Sequence, residues 1–107
     1  MVYPKTVTIV EVGPRDGFQS IKPWIETEDK ISTCKALLEA GVPLLECTSF
    51  ISPKAIPQMA DAKEVVAAVR DTLKAHGVRT VALVPNARGV EPAVECGINE
   101  LTYVISV

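Results

Sequence analysis

At 107 residues and 48% hydrophobic content, the chain is long enough for one small domain with its own core. A net charge of −2 with both signs interspersed, and only 5% aromatics, exclude a basic nucleic-acid stripe and a base-stacking platform. Cys34, Cys47 and Cys96 are odd in number and widely spaced, which excludes a disulfide framework and a zinc pattern and fits a reducing cytoplasm or mitochondrial matrix. No apolar stretch is long enough for a membrane span, and the N-terminus lacks the basic-then-apolar layout of a targeting segment. The expectation is a soluble protein.

In chain order, a short lead-in (Met1 to Lys5) precedes a mostly apolar run, Thr6 to Val12, that reads as a buried strand. It stops at Gly13-Pro14, because proline has no N–H for a sheet ladder. Arg15, Asp16 and Gln19 follow at once. Arg15 can clamp an anionic or carbonyl oxygen with its planar fork, and Asp16 is the hard oxygen ligand that a Mg²⁺-type cation prefers. The plainer reading is an Arg–Asp pair closing a surface turn. Ile31, Cys34, Leu37 and Leu38 then form an apolar stripe at helical spacing, closed by Gly41. Leu44 to Cys47 is a second strand, and Thr48 to Pro57 a loop. Asp61 and Glu64 have capping-box spacing ahead of a helix faced by Ala62, Val65, Val66, Val69 and Leu73. Thr80 to Val84 is the third strand, Val90 to Cys96 a brief helix, and Leu101 to Val107 the last run.

Three times a helix closes on glycine followed by Val or Ile, and a strand begins: Gly41-Val42, Gly77-Val78 and Gly97-Ile98. Alternating strands and helices imply parallel pairing with right-handed crossovers. Two α/β folds satisfy this, a (β/α)₈ barrel and an open doubly wound sheet, and no G-x-G-x-x-G follows the first strand to mark a dinucleotide site. Polar groups gather where the strands stop: Arg15 and Asp16 after the first, Glu46, Thr48 and Ser49 at the second, Asn86 after the third. That bias fits a barrel with its site at the C-terminal rim. Glu46 lies inside an apolar strand, where a carboxylate is costly unless paired, and Arg15 is the natural partner. Such a pair is equally compatible with a purely structural role. Glu11 raises the same question and has no evident partner.

These residues carry a family resemblance. Gly13-Pro14-Arg15-Asp16-Gly17-Phe18-Gln19 resembles the opening signature of the 3-hydroxy-3-methylglutaryl-CoA lyases. Thr48-Ser49-Phe50-Ile51-Ser52-Pro53-Lys54 with Ile56-Pro57-Gln58-Met59-Ala60-Asp61 is similar to a second block of that family, and Pro85-Asn86 with Gly89 to a third. Phe18 is more often Leu there. The resemblance implies that residues 1–107 are the first half, about four β/α units, of a TIM-barrel lyase or pyruvate-carboxyltransferase-like domain. It implies that Asp16 is a ligand of a divalent ion (Mg²⁺ or Mn²⁺), that Arg15 polarises the substrate carbonyl, that Gln19 lines the substrate site, and that Glu46 is the acidic member of the catalytic set. The implied reaction is retro-Claisen cleavage of a 3-hydroxyacyl-CoA to acetyl-CoA and acetoacetate, in a complete enzyme that is a homodimer.

The family completes its metal site with two histidines one residue apart and an Asn, and carries a reactive Cys, all late in the chain. Here the one histidine, His76, precedes Gly77 at a helix end, on the rim away from Asp16. Cys47 should face away from Glu46, and none of the three cysteines matches the reactive one. Three readings follow: an incomplete lyase, a non-catalytic half-barrel module, or a related enzyme such as a 2-isopropylmalate-synthase-like condensing enzyme. The Ser-Pro-Lys and Pro-Gln-Met blocks favour the lyase. Lys22, Lys54 and Arg88 could each meet a CoA phosphate, and none is assigned.

Overall fold

Strand and helix alternate through the computed structural model, which describes residues 1–105. Strands β1 (Val10–Glu11), β2 (Leu44–Ser49), β3 (Arg79–Leu83) and β4 (Glu100–Thr102) form one parallel sheet in the order β1-β2-β3-β4. Helices α1 (Thr27–Glu39), α2 (Ala62–Ala75) and α3 (Ala87–Glu95) connect them. Leu45, Cys47, Ala82 and Val84 of the sheet segment share one core with Cys34 and Leu38 of α1, Val65, Val66, Val69 and Leu73 of α2, and Ala93 of α3. All three helices therefore cover a single sheet face. A doubly wound sheet needs helices on both faces and a reversal of strand order, and the described residues show neither. The arrangement is the first part of a barrel wall.

Gly41, Gly77 and Gly97 end the three helices with φ of +92°, +73° and +84°. Side chains resist that region, so the glycines let the chain reverse from helix into strand as their spacing suggests. Gly89 matters for a different reason. A Cβ there would lie 2.6 Å from the backbone oxygen of Phe50, so the first turn of α3 rests directly on the loop after β2. Gly89→Ala should lower the stability of a barrel containing this chain by about 1–3 kcal/mol, the usual cost of overpacking. Urea denaturation reads this as a lower midpoint, and an unchanged midpoint would mean that helix and loop separate freely.

Several boundaries differ from the sequence reading. The first strand does not run from Thr6 to Val12; only Val10 and Glu11 pair, opposite Leu44 and Leu45. Residues before Val10 would lie opposite Gly41 to Pro43, where the chain is still leaving α1 and proline offers no N–H. Strand β2 runs on to Ser49, past the expected end at Cys47, because its pairing with β3 resumes after an irregularity between Glu46 and Thr48. Strand β3 is Arg79–Leu83, one residue earlier than read. Helix α3 starts at Ala87 rather than Val90, since the Asn86 side chain accepts from the Arg88 N–H at 3.0 Å and caps it. Strand β4 is confined to Glu100–Thr102, and Ser106 and Val107 of the expected run lie outside the described residues.

The capping box is a further correction. Asp61 precedes α2, but its side chain makes no cap hydrogen bond. Its carboxylate turns instead to Lys30 Nζ, at 2.9 and 3.0 Å. A buried ammonium outcompetes a backbone N–H that water can reach.

Candidate active site

The stretch after β1 folds on itself through short-range contacts. Glu11, unpartnered in the sequence reading, accepts from the Gly13 N–H at 2.9 Å through its Oε1. The Val12 carbonyl accepts from the N–H groups of Arg15 (3.1 Å) and Asp16 (2.7 Å), with Pro14 buried beneath. Gly13–Gly17 is thus a wide helical turn that continues through Gln19. It lays Arg15 over the middle of β2.

There Arg15 Nε donates to Glu46 Oε1, and Arg15 Nη1 reaches Asp16 Oδ1 at 3.3 Å. The Glu46 side chain is 3% exposed, that of Arg15 15%, and that of Asp16 66%. Each number assigns a different office. Glu46 is sealed, so its charge is spent on the guanidinium and its geometry fixes the plane of the fork. Arg15 keeps further N–H donors beyond the two contacts for an incoming oxygen. Asp16 faces outward with one long contact, leaving hard carboxylate oxygen for a cation. Gln19 is half-buried at the end of the same turn.

Asp16 fits a divalent ion in chemistry, as an exposed oxygen donor whose positive neighbour is already neutralised by a second carboxylate. Among the described residues no group of three or more His, Cys, Asp or Glu side chains could hold a metal. The Asp16 carboxylate is the exposed oxygen donor of the turn. The other rim residues do not join it. Thr48 Oγ1 points to Met59 Sδ at 3.7 Å, and Asn86 caps α3. Ser49 and Asn86 instead line a cavity of about 400 Å³, together with Phe50, Lys63, Arg88 and Gly89.

Two of the three cysteines, Cys34 and Cys47, are free thiols shut in the core. Burial pushes the Cys34 thiol up to about 12, and Cys47 is raised too, first by burial and then by the neighbouring Cys34. Cys47 does face away from Glu46, into the helix-side core. His76 lies past α2 with Nδ1 2.8 Å from the Thr72 carbonyl oxygen, and Arg79 pairs with Glu100 at 2.9 Å across neighbouring strand starts. Both belong to the rim opposite the Arg15 turn.

One polar group escaped sequence reasoning. Lys30, on α1, is 3% exposed, and its ammonium donates to the Gln58 carbonyl at 2.6 Å as well as to Asp61. The Trp24 ring centroid lies 3.8 Å from the same nitrogen. The signal was present: Lys30 occupies the i position of the stripe that continues as Cys34 and Leu38, where a solvated lysine does not belong.

The family profile described as HMGL-like matches residues 6–107. A hydroxymethylglutaryl-CoA lyase of Bacillus subtilis is 49% identical over 106 residues, covering 99% of this chain and 34% of the relative. A crystal structure of the Bacillus subtilis HMG-CoA lyase superposes with a TM-score of 0.84 at 51% identity, over 96% of this chain and 34% of that one. An HMG-CoA lyase from Acinetobacter baumannii, solved with coenzyme A and 3-methylmalate, gives 0.81 at 38% identity over 92% and 31% of the two chains. The chain thus spans about a third of the length of the relatives it matches. No described helix is long and apolar enough to cross a membrane. Sheet order, one-sided helices and a profile match over nearly the whole sequence agree, and the chain belongs to the HMGL-like family.

Proposed function

We propose that this chain supplies the Arg15–Asp16–Gln19–Glu46 portion of a carbon–carbon lyase that cleaves 3-hydroxy-3-methylglutaryl-CoA, or a closely related 3-hydroxyacyl-CoA, to acetyl-CoA and acetoacetate. The observation that carries the reading is the guanidinium of Arg15, aimed by a buried carboxylate, beside an outward-facing Asp16 in an HMGL-like chain. In the reaction the 3-hydroxyl gives up its proton, the bond between C2 and C3 breaks, and its electron pair moves onto C2 and the thioester oxygen. C3 becomes the ketone of acetoacetate, and protonation at C2 completes acetyl-CoA.

Arg15 places its free N–H groups against the thioester oxygen where negative charge grows, so its contribution is larger in the transition state than in the ground state. Glu46 acts through Arg15 as a positioning residue, since its carboxylate is sealed from substrate. Gln19 lines the site on the same turn. Asp16 is the ligand this segment gives to a divalent ion, Mg²⁺ or Mn²⁺, which when bound supplies Lewis acidity toward substrate oxygens. Free buried thiols fit a reducing compartment, the bacterial cytoplasm or mitochondrial matrix, within the same reading.

The test is a completed barrel: this chain joined to the remaining part, about two-thirds, of the Bacillus subtilis relative. Acetyl-CoA release from 3-hydroxy-3-methylglutaryl-CoA in Mg²⁺ is the expected result. A folded, soluble product without turnover would sink the reading.

A further inference from the structure

Residues 20 to 26, directly after Gln19, contain no helix or strand, and Lys22 among them is fully at the surface. A segment of that kind is ordinarily mobile. Here one side chain replaces the missing backbone pairing. Gln58 Nε2 donates to the carbonyls of Ile21 (2.7 Å) and Pro23 (2.9 Å), and its Oε1 accepts from the Ile25 N–H at 2.9 Å. Gln58 is itself pinned, because Lys30 Nζ donates to its backbone oxygen, and Asp61, which also accepts from Thr27 Oγ1 at 2.8 Å, neutralises that ammonium.

A buried ion pair contributes little net stability, so its presence calls for another reason. The contacts run between the loop after β1 and the loop after β2, both on the C-terminal side of the sheet where barrel sites lie. Among the described residues, nothing in the Lys30–Asp61–Gln58 group touches Arg15, Asp16 or Glu46 through a hydrogen bond. It orders the rim next to the reacting groups without joining them.

We propose that Gln58, fixed by the Lys30–Asp61 pair, is a positioning residue that holds the 20–25 loop as a wall of the acyl-CoA site, setting substrate affinity rather than the rate of bond cleavage. The proposal rests on the lyase reading for its ligand. In the completed barrel, Gln58→Ala should raise KM for the hydroxyacyl-CoA about tenfold, the size of losing hydrogen bonds worth about one power of ten in affinity, with kcat within about twofold. Gln58→Glu should behave alike, because it sets carboxylate oxygen against the carbonyls of Ile21 and Pro23. Hydrogen exchange should quicken at the amides of residues 20–25 and not in α1 or α2.

A fall in kcat with KM unchanged, accompanied by faster exchange throughout α1 and α2, would show a merely structural role and overturn the proposal. So would either variant with wild-type KM and a still-protected loop. Calorimetry with CoA alone separates the two readings. An unmodified barrel that binds CoA without cleaving the substrate removes the lyase reading, and a weaker CoA affinity in Gln58→Ala would still support the wall. A barrel that binds no CoA overturns the wall as well.

Discussion

Replacing Arg15 by lysine in the completed barrel should lower turnover by about 10²-fold or more, the size typical of losing one oxyanion donor, while divalent-ion binding stays nearly intact. The reason lies in how Arg15 is held. Its Nε is committed to Glu46 and one Nη to Asp16, yet the planar fork still presents other N–H groups in a fixed direction. A lysine ammonium carries the same charge on a flexible stem. It can satisfy Glu46 or reach the substrate, and it cannot do both in one geometry. Asp16→Ala makes the complementary cut: it deletes an exposed oxygen ligand and should weaken Mn²⁺ binding and abolish turnover together. Calorimetric Mn²⁺ titration and acetyl-CoA release measure the two effects separately. A lysine variant cleaving at near wild-type rate would remove the proposed role of the guanidinium.

The 107-residue chain by itself should be dimeric, aggregated or molten, and without lyase activity even in excess Mg²⁺ or Mn²⁺. Helices cover one face of the sheet, and the two outer strands each lack a neighbour on one side among the described residues. Apolar residues collect at those edges: Val7 is 78% and Ile9 62% exposed beside β1, and Tyr103 and Ile105 are 61% and 74% exposed beyond β4. Leaving about 400 Å² of such surface in water forfeits roughly 10 kcal/mol at about 25 cal/mol per Å², comparable to the whole stability of a domain. Open strand edges also template pairing with another chain. Val10 and Val104 are exposed as well, at 42% and 59%, while Val81 is buried and Leu45 belongs to the helix side. Light scattering and near-ultraviolet circular dichroism would reveal the state. A compact monomer with fixed tertiary signals would refute the packing argument, and metal-dependent cleavage would refute the need for ligands outside this segment.

What could be read in advance was what short stretches of chain decide. The glycines at 41, 77 and 97 announce their turns because few residues tolerate φ near +80°. Glu46 announced a partner because a carboxylate inside a strand has few ways to be neutral, and Arg15 was available. Asp61 shows the opposite case. Its spacing to Glu64 is a local signal, while its actual partner, Lys30, lies on another helix and becomes available only after α1 and α2 have packed. The length of β1 was likewise set by the other chain segment it met, since a strand extends only as far as its neighbour has N–H and C=O groups to offer. The loops after β1 and β2 are joined by Gln58, whose three side-chain hydrogen bonds go to backbone atoms, and backbone partners leave no trace in residue type.

Strand order in the sheet is the order of the chain, and this has a bearing on how such a molecule is assembled and divided. Every unit lies beside its immediate predecessor, and no later segment is inserted between two earlier ones. Growth is therefore at one margin only, like courses laid along a wall. Contacts between consecutive units span short stretches of sequence, the condition under which folding meets the smallest loop-closure cost. A cut between units severs a single strand pairing and the helix contact beside it, and between the first two units also the Arg15–Glu46 and Lys30–Asp61 pairs and the hydrogen bonds of Gln58.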